Sequence, residues 1–171
     1  MNEKINQALI SGKEDAEMAK HSAADVAKWF LAHNRITADE EGGEYISNLK
    51  LQKLLYYAQG CFLAVTGEPL FDDPIVAWQH GPVVETVYHA YKRNGAEGIR
   101  FDDDFDFSSF SEEENALLTE VYETFGQYSA WKLRNMTHQE APWLETLSVK
   151  SHIRKVRGAA QISTPGFLSA I

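Results

Sequence analysis

Ser47-Asn-Leu-Lys-Leu-Gln-Lys-Leu-Leu-Tyr-Tyr-Ala-Gln-Gly-Cys-Phe-Leu-Ala-Val-Thr-Gly-Glu-Pro69 is the stretch from which the fold is read. Leu51, Leu54, Leu55, Ala58, Phe62 and Val65 recur at i, i+3, i+4 and i+7 positions, the period of an amphipathic helix and not of a strand. Ser47 or Asn48 stands where a side-chain oxygen caps the first unpaired N–H groups. Gly67 and then Pro69 supply a left-handed cap followed by a residue that cannot continue a helix. The stretch predicts one long core helix, with Lys50, Lys53 and Tyr57 on its polar side, where they present contacts to a partner.

Outward from this helix the pattern stays helical. On the N-terminal side, Ser22-Ala-Ala-Asp25 has capping-box spacing and opens a helix carrying Val26, Trp29, Phe30 and His33. That helix is expected to end near Asn34 to Ile36, with the charged, glycine-rich run from Thr37 to Gly43 as a loop. Residues 1–21 are polar and lack Trp, Tyr and Phe, so they read as an arm preceding a domain over residues 22–171. On the C-terminal side, Ile75 to Trp78 suits a short strand or a helical turn. Gly81-Pro82 reads as opening a helix with Val84, Val87, Tyr88 and Tyr91 on its apolar face, since proline is favoured in a first helical turn. Ile99 to Phe110 reads as an extended edge or ordered loop. Ser111 caps a helix carrying Leu117, Leu118, Val121, Tyr122 and Phe125, and Ser129 caps another with Trp131, Leu133 and Met136. Ala141-Pro142-Trp143 and Ser163-Thr-Pro165 start two further short helices. The fold class expected is mainly α: a single compact domain of about six helices with at most a small β element.

Composition narrows the function. The chain has 171 residues, 44% of them hydrophobic, enough for one core. It has no run approaching the roughly 18 apolar residues of a membrane span and no apolar leader segment, so a cytoplasmic location without membrane contact is expected. Its single cysteine, Cys61, sits in an apolar helical run and reads as a small packing residue, not a nucleophile. Residues 101–125 hold nine of the 25 acids and no Lys or Arg, so the formal charge of −9 resides in that one segment. Such a field repels nucleic acid and attracts basic surfaces. Asp102, Asp103, Asp104 and Asp106, interleaved with Phe101, Phe105 and Phe107, are therefore candidate partner-binding residues, the phenylalanines serving as short-range anchors or simply packing the loop.

Catalytic and metal chemistry finds little foothold. Asp102, Asp104, Asp106 and Glu113 have a calcium-loop spacing, but Phe107 occupies the position where that loop's turn needs glycine. The six histidines form neither a zincin pair nor a zinc pattern, so no metal or other cofactor is expected. His80 and His138, with Asp72 or Asp73, would make an acid–base group only if the fold brought them together; histidines bonding backbone at element ends are the simpler expectation. The basic tail from Lys150 to Arg157 can touch phosphate, yet no helix-turn-helix doublet accompanies it, so direct nucleic-acid binding is not expected.

Several motifs together carry a resemblance. Lys50-Leu-Gln-Lys-Leu-Leu-Tyr-Tyr-Ala-Gln-Gly60, Gly67-Glu-Pro-Leu-Phe-Asp-Asp-Pro-Ile75, Ala77-Trp78, Gly81-Pro-Val83, Val87-Tyr88, Thr137-His138 and Pro142-Trp143 resemble, in order, the signature of the Panacea (SocA-like, GepA-like phage-associated) family. The resemblance spans roughly residues 22–147. It implies an antitoxin of a type II toxin–antitoxin system, whose partner is a protein toxin encoded in the adjacent open reading frame and silenced by direct contact. It implies no catalytic residues. A proteolytic adaptor, with a protease or chaperone as second partner, is the alternative, and a His/Asp enzyme a more distant one. Leu54, Leu55, Trp78, His80, Gly81, Pro82, Tyr88, His138 and Trp143 are assigned to specifying the fold, as a rigid turn locked against the core helix.

Overall fold

The computed structural model describes residues 20–140, and among them the fold is mainly helical around one small hairpin. The elements in order are α1 (Ala23–Glu41), α2 (Asn48–Thr66), β1 (Ile75–Trp78), β2 (Gly81–Val84), α3 (Glu85–Tyr91), 3-10 turns at Lys92–Asn94 and Phe107–Ser109, α4 (Glu112–Phe125) and α5 (Ala130–Thr137). The helices expected after Ala141 and Ser163, the basic tail and most of the N-terminal arm lie outside the described residues. His21, placed in the arm by sequence, belongs to the fold. It bridges to Phe71, its ring stacks on Phe110 at 3.9 Å, and it pairs with Glu114 Oε2 at 3.0 Å.

Short-range signals set the helix starts. Ser22 and Ser111 both close capping boxes, with Asp25 and Glu114 reaching back to the cap N–H, while Ser47 accepts from Lys50 N and Ser129 from Lys132 N. One helix end departs from expectation: α1 continues through the charged run to Glu41 and stops only where Gly42 turns left-handed, at φ 70°, and donates to Ala38 O. The run stays helical because one side of it is buried. Ala38 packs inward, and Asn34 ties the helix to its surroundings by donating to Glu44 O and Tyr122 Oη and accepting from Ile46 N.

α2 is the axis of the domain, packed by α1, α3, α4, α5 and β2. From Leu51 to Gly60 every residue is buried, so this stretch has no polar side in the expected sense. The expected apolar stripe holds over Leu51, Leu54, Leu55 and Ala58. It then runs out into solvent, with Phe62 half-buried and Val65 76% exposed. Burying a helix all round requires partners for its polar side chains. Asn48 donates to Tyr88 O, Gln52 accepts from Val84 N, and Gln59 accepts from Leu70 N and Phe71 N while donating to Phe71 O. The polar positions of this helix thus hold the backbone of residues 70–88 against it.

Gly81-Pro82 does not open a helix; it opens β2, which pairs antiparallel with β1 across a turn at Gln79-His80. In the register Trp78↔Gly81, Ala77↔Pro82, Val76↔Val83 and Ile75↔Val84, the closing pair of a two-residue hairpin exchanges hydrogen bonds and the next pair does not. Pro82 therefore falls where its missing N–H costs the ladder nothing, and its carbonyl faces away from β1 towards α2. Val84, two residues on, likewise turns its N–H to Gln52. The helix that follows starts only at Glu85, with Val87 buried.

Candidate functional site

The motif blocks converge on one buried locus at the end of the hairpin. Lys53, in the second turn of α2, has no solvent exposure; its Nζ donates to Pro82 O at 2.9 Å. Gly81 makes room for it. With φ +99° and no side chain, its position is one where an added Cβ would lie 3.0 Å from Lys53 Nζ and 3.0 Å from Thr137 Oγ1. Residues from three separate blocks, Lys53, Gly81-Pro82 and Thr137, thus meet within contact distance. The placement of Lys53 corrects its expected surface role: β2 and α5 close over the side of α2 on which it sits.

Burial, reinforced by the Arg134 charge, pushes the Lys53 ammonium down to about 7. Its folded pKa thus lies below its unfolded value, so the unfolded chain binds more protons between these two values and stability rises with pH across that window. We expect wild-type unfolding free energy to increase by about 2 kcal/mol between pH 7 and about pH 9, and Lys53→Met to lack that increment. Denaturant unfolding at the two pH values checks it; parallel behaviour of the two proteins would show that Lys53 is not buried as a strained ammonium.

Tyr57 is likewise buried, and not a surface contact. Its ring stacks on Phe125 at 3.9 Å and 5°, and its hydroxyl donates to Glu140 Oε1 at 2.7 Å. Burial, then the neighbouring Glu140 charge, holds the phenol protonated far above its usual range. Lys50 is half-buried; its ammonium donates to Gly126 O at the end of α4, and burial lowers its pKa. Of the three residues expected on a polar side, two are interior and one is tied down. Beside Phe125, Cys61, Ala64, Val65, Leu117, Glu120 and Thr124 line an open cleft of about 280 Å³ between α2 and α4. Burial raises the Cys61 thiol, keeping it protonated at neutral pH.

The other fold-assigned residues fall mainly inside. Leu54 and Leu55 are fully buried, Trp78 meets Tyr88 edge to face at 4.8 Å, Pro82 is buried and His138 half-buried, whereas His80 is exposed at the turn. Trp143 lies outside the described residues. The His80 charge reaches His138, but Asp73 does not join them, and Asp72, one residue further from the turn, is exposed ahead of the same strand. Asp73 accepts from Ala23 N at 2.8 Å and from Thr86 Oγ1 at 3.2 Å, at the far end of β1 from the turn. A four-residue strand separates the two positions by about 13 Å.

The acidic segment divides. Asp102, Asp103, Asp104 and Asp106 are exposed, as are Glu112, Glu113, Glu120 and Glu123. The interleaved phenylalanines are not free anchors. Phe101 is buried, while Phe105 and Phe107 are half-buried against the core, Phe107 edge to face with Trp29 at 5.8 Å. The loop is pinned by Arg35, which donates to Phe101 O and Asp103 O, and by Asn115, which donates to Phe107 O and Phe110 O. Asp106 accepts from Ser108 N and Oγ and caps the second 3-10 turn, so its carboxylate is engaged locally. Sequence reasoning missed Asn48, Gln52 and Gln59, whose amides do much of the joining. The signal available was an amide recurring on an otherwise buried helix.

A comparison with known protein families covers these residues. The sequence profile of the family described as "Antitoxin SocA-like, Panacea domain" matches residues 51–144. Antitoxin SocA of Caulobacter vibrioides (strain NA1000 / CB15N) is 50% identical over 54 residues, which is 32% of this chain and 29% of that protein; the matched stretch thus spans less than a third of that relative's length. No solved structure matches the chain.

Proposed function

We propose that this chain, which belongs to the SocA-like Panacea antitoxin family, neutralises a partner protein toxin by direct contact, without chemistry of its own. The observation that carries this reading is the family match over residues 51–144. It is supported by where the motif residues go: Lys53, Tyr57, Gly81, Pro82 and Thr137 are consumed in joining α2 to the hairpin and α5. The toxin, encoded in the adjacent open reading frame, is expected to arrest growth when expressed alone. Co-expression of this chain is expected to restore growth and to copurify with the toxin. Restored growth with the toxin removed from the cell, dependent on a protease, would favour an adaptor instead.

Encounter with a basic toxin surface is assigned to the exposed carboxylates Asp102, Asp103, Asp104 and Asp106. Replacing all four by Asn preserves acceptors for Ser108 and, among the described residues, removes one ion pair, the exposed Arg100–Asp102 contact, which is worth little in water. The fold is expected to be unchanged and the association rate about tenfold lower at low salt, converging on wild type as salt screens the field. Stopped-flow association at two ionic strengths checks this. Equal rates for variant and wild type at low salt would remove the segment from the docking surface.

A further inference from the structure

The cleft between α2 and α4 is formed by one row of side chains from each helix. α2 contributes Cys61, Ala64 and Val65, at i, i+3 and i+4, and α4 contributes Leu117, Val121 and Phe125, at i, i+4 and i+8. Cys61 and Ala64 are too short to fill the space in front of the longer row, which leaves about 280 Å³ open. The α4 wall is held in place, because Phe125 stacks on Tyr57 at 3.9 Å and Tyr57 is fixed by its bond to Glu140. Val65 is the most exposed large apolar side chain among the described residues, at the end of a stripe that α2 otherwise buries. A preformed apolar cleft spends little of its binding energy on ordering itself.

The charge around it has one sign. Among the described residues that line the cleft, Glu120 carries the charge and none is basic. Glu123 is exposed on the same helix, and residues 101–125 contain no Lys or Arg. The field reaches inside: after burial itself, the charges of Glu120 and Glu140 raise the Cys61 thiol. The volume falls just below the range of about 300–1,000 Å³ typical of small-molecule pockets, so it suits a side chain or two and not a cofactor. A groove between two helices takes the apolar face of a third, and here the flanks of that face must be positive. The acidic loop that precedes α4 offers no such anchor point, since Phe101, Phe105 and Phe107 are taken up by the core. We propose that the cleft between α2 and α4 is the docking site of the toxin partner, and that it takes an amphipathic helix whose apolar anchor is flanked by Lys or Arg. This rests on the antitoxin reading and supplies the short-range hold that Asp102, Asp103, Asp104 and Asp106 do not.

The test measures binding of the purified toxin partner to the full chain as wild type, Val65→Asp and Glu120→Lys, with association and dissociation rates read separately. Val65→Asp adds a negative charge while removing apolar surface, so general attraction of a basic partner would leave binding unchanged or tighter. Docking in the cleft is expected instead to raise the dissociation rate about 30-fold or more, with little change in association. Glu120→Lys is expected to weaken binding more at low salt than at high. Cys61, the chain's single cysteine, provides a footprint, and its labelling by a maleimide is expected to slow about tenfold or more in the complex. Wild-type dissociation in Val65→Asp, with Cys61 unprotected in the complex, overturns the docking site and leaves the antitoxin reading standing. No complex with the wild-type chain overturns both. The free chain reports two other occupants. A wild-type dimer that Val65→Asp dissociates assigns the face to a second copy, and a melting temperature several degrees lower in Val65→Asp assigns it to the chain's own residues. Either result overturns the proposal.

Discussion

Leu55→Asp is expected to abolish the cooperative thermal transition. Leu55 has no exposure and lies at the centre of the most enclosed helix of the domain. The variant loses the burial of a leucine, about 2–5 kcal/mol for truncation alone, and must in addition house a carboxyl group that finds no cation. The sum approaches the whole stability of a typical domain, about 5–15 kcal/mol. Val65→Asp is the informative control. Both residues fall on the same stripe in the sequence, but Val65 is 76% exposed, and its replacement is expected to leave the transition within about 0.5 kcal/mol of wild type. Circular dichroism melts of the two variants decide the point; equal effects would mean that the helix is not oriented as described.

Gly81→Val is expected to cost about 3–5 kcal/mol and to lower the melting temperature by about 10 °C. Two independent costs combine. At φ +99° a β-branched residue is strained whatever surrounds it, and its Cβ alone would stand 3.0 Å from both Lys53 Nζ and Thr137 Oγ1. The ammonium has nowhere to retreat, since β2 and α5 enclose it and its acceptor is the very next residue's carbonyl. Gly81→Ala carries the strain and the Cβ but not the branch, so a smaller loss is expected. A valine variant as stable as wild type would contradict the account of the hairpin latch.

These contrasts mark what the chain discloses locally and what it withholds. The four serine caps were legible because the residues that answer them lie three positions away. Gly81-Pro82 was not, because proline in a first helical turn and proline at a non-hydrogen-bonded strand position are alike in needing no N–H. Only the pairing with Ala77 distinguishes them. The end of α1 was misplaced because a charged run looks like a loop until one knows that Ala38 is covered. Lys53 and Tyr57 were assigned to the surface by polarity alone. The partners that allow their burial, Pro82 and Glu140, lie 29 and 83 residues away, beyond any periodicity. The same distance hides the phenylalanines of the acidic loop, which read as anchors for a partner and instead hold the loop to Trp29 and the core.

Neutralisation by contact alone is decided by a purified two-component assay. The proposed toxin partner is mixed with this chain, with no protease or nucleotide present, and toxin activity is followed alongside complex formation by light scattering. A stable complex of fixed stoichiometry is expected, with loss of toxin activity in proportion to the complex formed. Full toxin activity in the presence of excess folded chain, with the two proteins eluting separately, would contradict it.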